Sequence, residues 1–185
     1  MEQKILIYPT DTVYGIGGIF PWALRKVYEV KKRSFLKPVS VIVPSIDFVY
    51  KLPIDFSKVD NVDNADRLVS KLSTLLSSYW AQGQWVTFVL PLKVPLRDSE
   101  FEQAYNLRLG IRVLNHPIQQ FFAELGEMFI TTSANLAGEP VIKAVQDLPL
   151  SLKSQVDWIV DWGELGNVPS VILDAQKNFS PILRT

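Results

Sequence analysis

The chain contains no cysteine, which excludes disulfides, thiolate metal sites and a cysteine nucleophile. Its one histidine, His116, excludes a metal site built from several imidazoles. Neither sign of charge is in excess. The 19 Lys and Arg balance 19 Asp and Glu, so no global field draws the protein onto nucleic acid or an anionic membrane. Any anion site must therefore arise from local clustering. No apolar run approaches the roughly 18 to 20 residues that span a bilayer, and the N-terminus lacks the basic and apolar regions of a signal peptide. A cytoplasmic protein without membrane association is the expectation. The common nucleotide fingerprints are missing too. No Gly-Lys-Ser/Thr follows the first glycines, and Phe20 fills the third glycine position of G-x-G-x-x-G.

What the chain does have is core material, 48% hydrophobic over 185 residues, enough for one domain spanning residues 1 to 185. Lys4-Ile-Leu-Ile-Tyr8 reads as a short buried strand, stopped by Pro9, which has no N–H to donate. Thr10, Asp11, Thr12 and Tyr14 follow at once, and Gly15, Gly17 and Gly18 then predict a tight turn or close approach to a ligand. Polar side chains just past the carboxyl end of a buried strand are where open α/β sheets hold ligands.

Further along, Pro21 suits a first helical turn, and Leu24, Val27 and Tyr28 mark the buried stripe of a helix. Six basic side chains fall between residues 25 and 37 against one acidic, Glu29. Lys31 and Arg33 stand two apart, nearly opposite each other on a continuing helix, so they serve one site only if the helix stops near Lys32. Val39 to Val43 predicts a second buried strand, Phe48 to Leu52 a short helix and Val62 to Tyr79 a long one ended by Gly83. Trp85 to Leu90 reads as a strand by its aromatic and β-branched content, with a polar loop over residues 93 to 105.

Leu107 to Val113 alternates strictly. Leu107, Leu109, Ile111 and Val113 take the core face, leaving Arg108, Gly110 and Arg112 on an exposed or cavity-lining face. Asn115-His116-Pro117 then opens a helix to Leu125 with Gly126 as its stop. Met128 to Ile130 predicts a strand that runs into a second hydroxyl-rich loop, Thr131 to Gly138. A short helix over Lys143 to Leu148 and strands at Val156 to Val160 and Val171 to Leu173 complete the expected elements.

Collected from these segments, Thr10, Thr12, Tyr14, Lys31, Arg33, Lys37, Arg112, Thr132, Ser133 and Asn135 form an inventory of cations and hydroxyls with no hydroxyl–histidine–carboxylate signature. It suits binding a polyanion and stabilising charge as it moves, as in phosphoryl or nucleotidyl transfer.

Four segments, in order, are familiar: Pro9-Thr-Asp-Thr-Val-Tyr-Gly15, Lys31-Lys-Arg33 with Lys37-Pro38, Arg112-Val-Leu-Asn-His-Pro117, and Thr132-Ser-Ala-Asn-Leu-Ala-Gly-Glu-Pro140. Together they resemble the YrdC-like family, whose best-known members are the threonylcarbamoyl-AMP synthases that begin threonylcarbamoyladenosine modification of tRNA. The resemblance implies an α/β fold with a twisted, curved mixed β-sheet, flanked by helices around a concave groove. It implies that L-threonine and bicarbonate form a carbamate that attacks the α-phosphate of ATP and expels pyrophosphate, with Mg²⁺ held mostly by phosphate oxygens and water. It also implies partners, the tRNA-modification proteins that receive the adenylate. The family's K-x-R pattern falls on Lys31 and Arg33 and its S-x-N pattern on Ser133 and Asn135, the catalytic set that would hold the triphosphate. Thr10, Tyr14, Lys37, Arg112, His116, Thr132 and Ser170 match substrate-binding positions.

Two segments depart from the family pattern, Trp80-Ala-Gln-Gly-Gln-Trp-Val-Thr87 and Pro169-Ser-Val171, and they bear on the pocket's far wall and the substrate side chain. A third departure is at the start, where family members usually carry a helix ahead of the first strand and this strand begins almost at Met1. With no long C-terminal extension, the chain is expected to be of the single-domain bacterial type.

Plainer readings stand beside these. Lys31, Lys32 and Arg33 suit a solvated helix end, Arg112 an ion pair with a carboxylate, and His116 a helix start. Ser133 and Asn135 suit a turn, and all five tryptophans suit packing. Two other functions also fit the inventory: a non-catalytic RNA-binding module using the same groove, and a paralogue acting on a different carboxylated substrate.

Overall fold

The computed structural model describes residues 4–35, 37–95, 107–166 and 168–182. The expected polar loop lies outside them from residue 96 onward. Among the described residues, nine strands form one mixed sheet: β1 (Leu6–Tyr8), β2 (Gly15–Gly17), β3 (Ser40–Ile42), β4 (Val86–Pro91), β5 (Arg108–Arg112), β6 (Phe129–Ser133), β7 (Trp158–Ile159), β8 (Val171–Asp174) and β9 (Ser180–Ile182). Their order across the sheet is β7-β1-β2-β6-β3-β5-β4-β8-β9. Three contacts are parallel, β1 with β7, β3 with β5 and β4 with β8, and the remainder antiparallel.

This topology joins the segments singled out in the sequence. Gly15 lies opposite Ser133 across β2 and β6, and Ile42 lies opposite Arg112 across β3 and β5.

The glycine stretch is not a turn, as the sequence predicts, but the strand β2, threaded between β1 and β6. A Cβ on Gly17 would stand 1.6 Å from the Ile130 carbonyl oxygen, so glycine is required by a neighbouring strand rather than by a ligand. The second hydroxyl-rich loop likewise begins later than predicted, because Thr131, Thr132 and Ser133 lie within β6. β9 has no counterpart in the sequence expectations; Pro181 sits in it at the sheet's edge, where a missing N–H is tolerated.

Helix α1 (Leu24–Lys31) begins after Pro21 rather than at it and buries Val27, Tyr28 and Val30. It stops where the site requires. Lys32 takes a left-handed conformation with φ 51°, and the Arg33 N–H returns to the Tyr28 carbonyl at 2.9 Å.

The long helix α2 (Ala65–Ala81) is capped by the Asn64 side chain, which accepts from the Arg67 N–H at 3.0 Å. Its buried row is Leu68, Leu72 and Leu76, packed into the main core with Phe88 and Ile111. Helix α3 (Gln119–Leu125), stopped at Gly126 with φ 71°, covers a smaller cluster of Leu6, Tyr8, Ile42, Leu114, Phe122 and Phe129. The helices predicted near residues 48 and 145 are short 3-10 segments, Ile46–Lys51 and Val145–Asp147, the latter followed by the four-residue α4 (Leu150–Lys153).

The face of β5 expected to be exposed or to line a cavity is largely covered, with the Arg108 side chain 34% exposed. Leu109 and Ile111 enter the main core, while Gly110 abuts Ser40 and Arg112 is 9% exposed. Three of the tryptophans are also not core residues: Trp22, Trp158 and Trp162 are about half exposed. No described helix is long and apolar enough to cross a membrane.

Candidate functional site

The centre of the site is Lys31. It sits on the buried face of the last turn of α1 and is 1% exposed. Its ammonium reaches the turn after β6, donating to the carbonyls of Ser133 and Asn135, with Asn135 Oδ1 at 3.3 Å. The backbone returns the contact through the Ala137 N–H, 3.1 Å from the Lys31 carbonyl. The turn is further braced by the Ser133 hydroxyl donating to Asn135 Oδ1 at 2.5 Å and Asn135 Nδ2 donating to the Glu139 carbonyl at 2.6 Å. Burial, and then the nearby Arg33 charge, push the Lys31 ammonium down to about 7. Three oxygens of Ser133 and Asn135 surround the ammonium and accept from it.

Arg33 does not reach this turn. Its Nε and Nη2 donate to the carbonyls of Lys37 and Pro38 at 3.1 and 3.0 Å, fixing the segment that leads into β3. Of the four residues that the resemblance assigns to the triphosphate, Lys31 thus meets Ser133 and Asn135, while Arg33 turns away to the segment before β3. Lys37 is exposed, and its carbonyl also accepts from the Tyr28 hydroxyl at 2.9 Å.

On the other side of the β1–β2 connection the hydroxyls are spent on the fold. Thr10 Oγ1 donates to the Val13 carbonyl at 2.6 Å and accepts from the Thr12 and Val13 N–H groups, which closes the loop on itself. The Tyr14 phenol donates to the Gly163 carbonyl at 2.8 Å and accepts from the Trp162 N–H at 2.8 Å. Its pKa is raised by burial, with the nearby Asp161 carboxylate adding to the effect. Thr132 pairs with Ile16 across β2 and β6 and is half-buried.

Arg112 is an ion pair as well as a candidate ligand. Its Nη2 stands 2.6 Å from Asp11 Oδ1. His116 accepts from the Ile118 N–H on Nδ1 at 3.2 Å and meets the Trp162 ring edge-on at 5.1 Å. Burial lowers its pKa against the opposing pull of Asp11, which suits a neutral ring with Nδ1 as acceptor. Ser170 is buried, its hydroxyl 2.9 Å from that of Thr87.

Asp11 and Thr87 are site neighbours absent from the sequence candidates. Asp11 lies inside the first motif, so a carboxylate among hydroxyls, opposite a later arginine, was the available signal. Thr87 closes the departing segment that began at Trp80, and its contact with Ser170 brings both departing segments to one place, where β4 and β8 pair. Among the described residues, a hollow of about 340 Å³ at Lys26 and Ser154 to Asp157 and an apolar cavity of about 60 Å³ under α3 are each lined by other residues. The candidate residues fall at opposite ends of the central strands: Ser133 ends β6 opposite Gly15 of β2, and Arg112 ends β5 opposite Ile42 of β3, level with the start of β6.

Fold and site together define a mixed α/β protein with cations and hydroxyls at the ends of the central strands of one sheet. The chain belongs to the Sua5/YciO/YrdC family: the family model Sua5_yciO_yrdC, described as telomere recombination, matches residues 1–185. A Haemophilus influenzae protein named threonylcarbamoyl-AMP synthase is 25% identical over 180 residues, covering 96% of this chain and 91% of its own. A Xanthomonas euvesicatoria protein of the same name is 29% identical over 181 residues, with 95% and 89% covered.

Among solved structures, P. abyssi Sua5 complexed with L-threonine matches with a TM-score of 0.72 at 22% identity. The match covers 94% of this chain, which spans about half of that protein, 47%. E. coli YciO matches with a TM-score of 0.65 at 24% identity, covering 93% of this chain and 78% of that one. These two likenesses concern the fold.

Proposed function

We propose that this chain is an L-threonylcarbamoyladenylate synthase acting in the cytoplasm as one YrdC-like domain, residues 1 to 185. L-threonine and bicarbonate condense to a carbamate with loss of water. The carbamate oxygen then attacks the α-phosphate of ATP, and the bond to the β-phosphate breaks to release pyrophosphate. ATP enters as its Mg²⁺ complex; the donors at these strand ends are cations and hydroxyls, so the metal would be held by phosphate oxygens and water. The adenylate passes to proteins that modify tRNA.

The observation that carries the reading is the meeting of Lys31 with the Ser133–Asn135 turn, 102 residues apart in sequence. A cation and a hydroxyl–amide turn at a strand end are what a triphosphate and a departing pyrophosphate need. Arg33 adds charge beside them, with Lys37 exposed nearby. Arg112, His116, Thr10, Tyr14, Thr132 and Ser170 build the amino-acid end, Thr10 and Tyr14 by shaping loops rather than by free hydroxyls.

The test is pyrophosphate release from ATP with threonine and bicarbonate each omitted in turn. Release that requires both is the expected result; release indifferent to threonine would remove the assignment. It would promote a second reading, a relative with another carboxylated substrate, which the convergence of both departing segments at Thr87 and Ser170 favours. RNA binding with a steep salt dependence and no ATP turnover would instead point to the RNA-binding module.

A pH effect follows from Lys31. ATP binds the charged ammonium, and the free protein loses that proton as pH rises through about 7. Binding then takes up a proton, so affinity for ATP should weaken above pH 7, by up to about tenfold per unit. Titrations of ATP binding from pH 6 to 9 check this, with Lys31→Arg as the flat control, since arginine stays charged throughout.

A further inference from the structure

Asp11 leaves β1 on the first loop with its carboxylate 1% exposed. A buried carboxylate has to be paired, and this one is paired twice. Oδ1 accepts from Arg112 Nη2 at 2.6 Å, and Oδ2 accepts from the Asn115 N–H at 2.9 Å. One side chain thus ties the end of β5 to the turn that presents His116.

The arginine is not saturated by the contact. Arg112 is nine-tenths buried, its Nη2 stands 3.4 Å from Thr12 Oγ1, and its buried Nε–H has no acceptor among the described residues. A guanidinium carries its N–H groups in one rigid plane, so holding Nη2 also sets the direction of Nε–H.

We infer that Asp11 is a positioning residue, which holds Arg112 so that its guanidinium meets the substrate's amino-acid end. The inference rests on the synthase reading for the identity of that substrate, but the orientation of the guanidinium can be followed without it.

The experiment uses the full chain and two readouts. The first is the NMR cross-peak of the Arg112 Nε–H, protected from solvent exchange by burial and assigned through Arg112→Lys. The second is the separate KM for L-threonine and for ATP in pyrophosphate release. Asp11→Asn is expected to abolish the protection and to raise the threonine KM by at least about tenfold, with the ATP KM within about twofold. The double variant with Arg112→Lys is expected to be no worse than the worse single one. If Asp11→Asn does not fold, Asp11→Glu, which keeps the charge but displaces it by one methylene, is read in the same way.

A protected cross-peak that survives the substitution overturns the proposal. Equal rises in both KM values also overturn it, since a general loss of structure would produce them. Should the wild-type protein show no threonine-dependent release, the synthase reading fails by itself; the cross-peak alone then decides the positioning role, standing if lost and overturned if kept.

Discussion

Lys31→Ala is expected to lower the rate of pyrophosphate release by about a hundredfold, the scale seen when one donor facing developing charge is removed. The ammonium has three N–H groups, and three oxygens of residues 133 and 135 surround it. Every proton is therefore already placed on the turn. A triphosphate must either draw some of them away or be held by a turn that Lys31 keeps in shape, and both routes fail without the side chain.

The substitution should also cost stability, about 2 to 4 kcal/mol, because it opens a cavity and strips buried carbonyls of their donor. Lys31→Met separates the two effects, since it retains the packing of the stem and removes only the charge. A rate within threefold of wild type for Lys31→Met would return Lys31 to a packing role and remove the basis of the proposed chemistry. Thermal unfolding of both variants, measured beside the rate, distinguishes lost chemistry from lost fold.

Gly17→Ala is expected to be the most destabilising single substitution in the β1–β2 segment. The added Cβ would lie 1.6 Å from the carbonyl oxygen and 2.7 Å from the carbonyl carbon of Ile130. Both groups are strand backbone, so neither has a rotamer through which to move aside. β2 would have to part from β6, and with it would go the alignment of Gly15 opposite Ser133.

The loss should exceed about 3 kcal/mol, a large share of the roughly 5 to 15 kcal/mol that holds a domain folded. Gly166→Ala is the control, because a Cβ there meets nothing within 4 Å. Urea unfolding would show the Gly17 midpoint falling steeply and the Gly166 midpoint unchanged. Equal midpoints would mean that the β2–β6 approach is looser than described.

Much of this arrangement is legible in the amino-acid sequence because it depends on local rules. Apolar runs closed by proline mark β1 and β3, Gly126 ends α3, and the spacing of Lys31 and Arg33 demands a helix stop at Lys32, which occurs. The inventory of cations and hydroxyls is a property of composition and order alone. What each of those groups touches is not, because contacts between residues about a hundred positions apart depend on which strands become neighbours. Strand order puts β2 beside β6, and only this makes Gly17 indispensable and brings Ser133 within reach of Lys31. The same long-range pairing spends the Tyr14 phenol on residues 161 to 163, closes Ser170 against Thr87, and makes Asp11 the partner of Arg112. Local chemistry decided which residues were available; the free energy of packing one mixed sheet decided which partners each of them met.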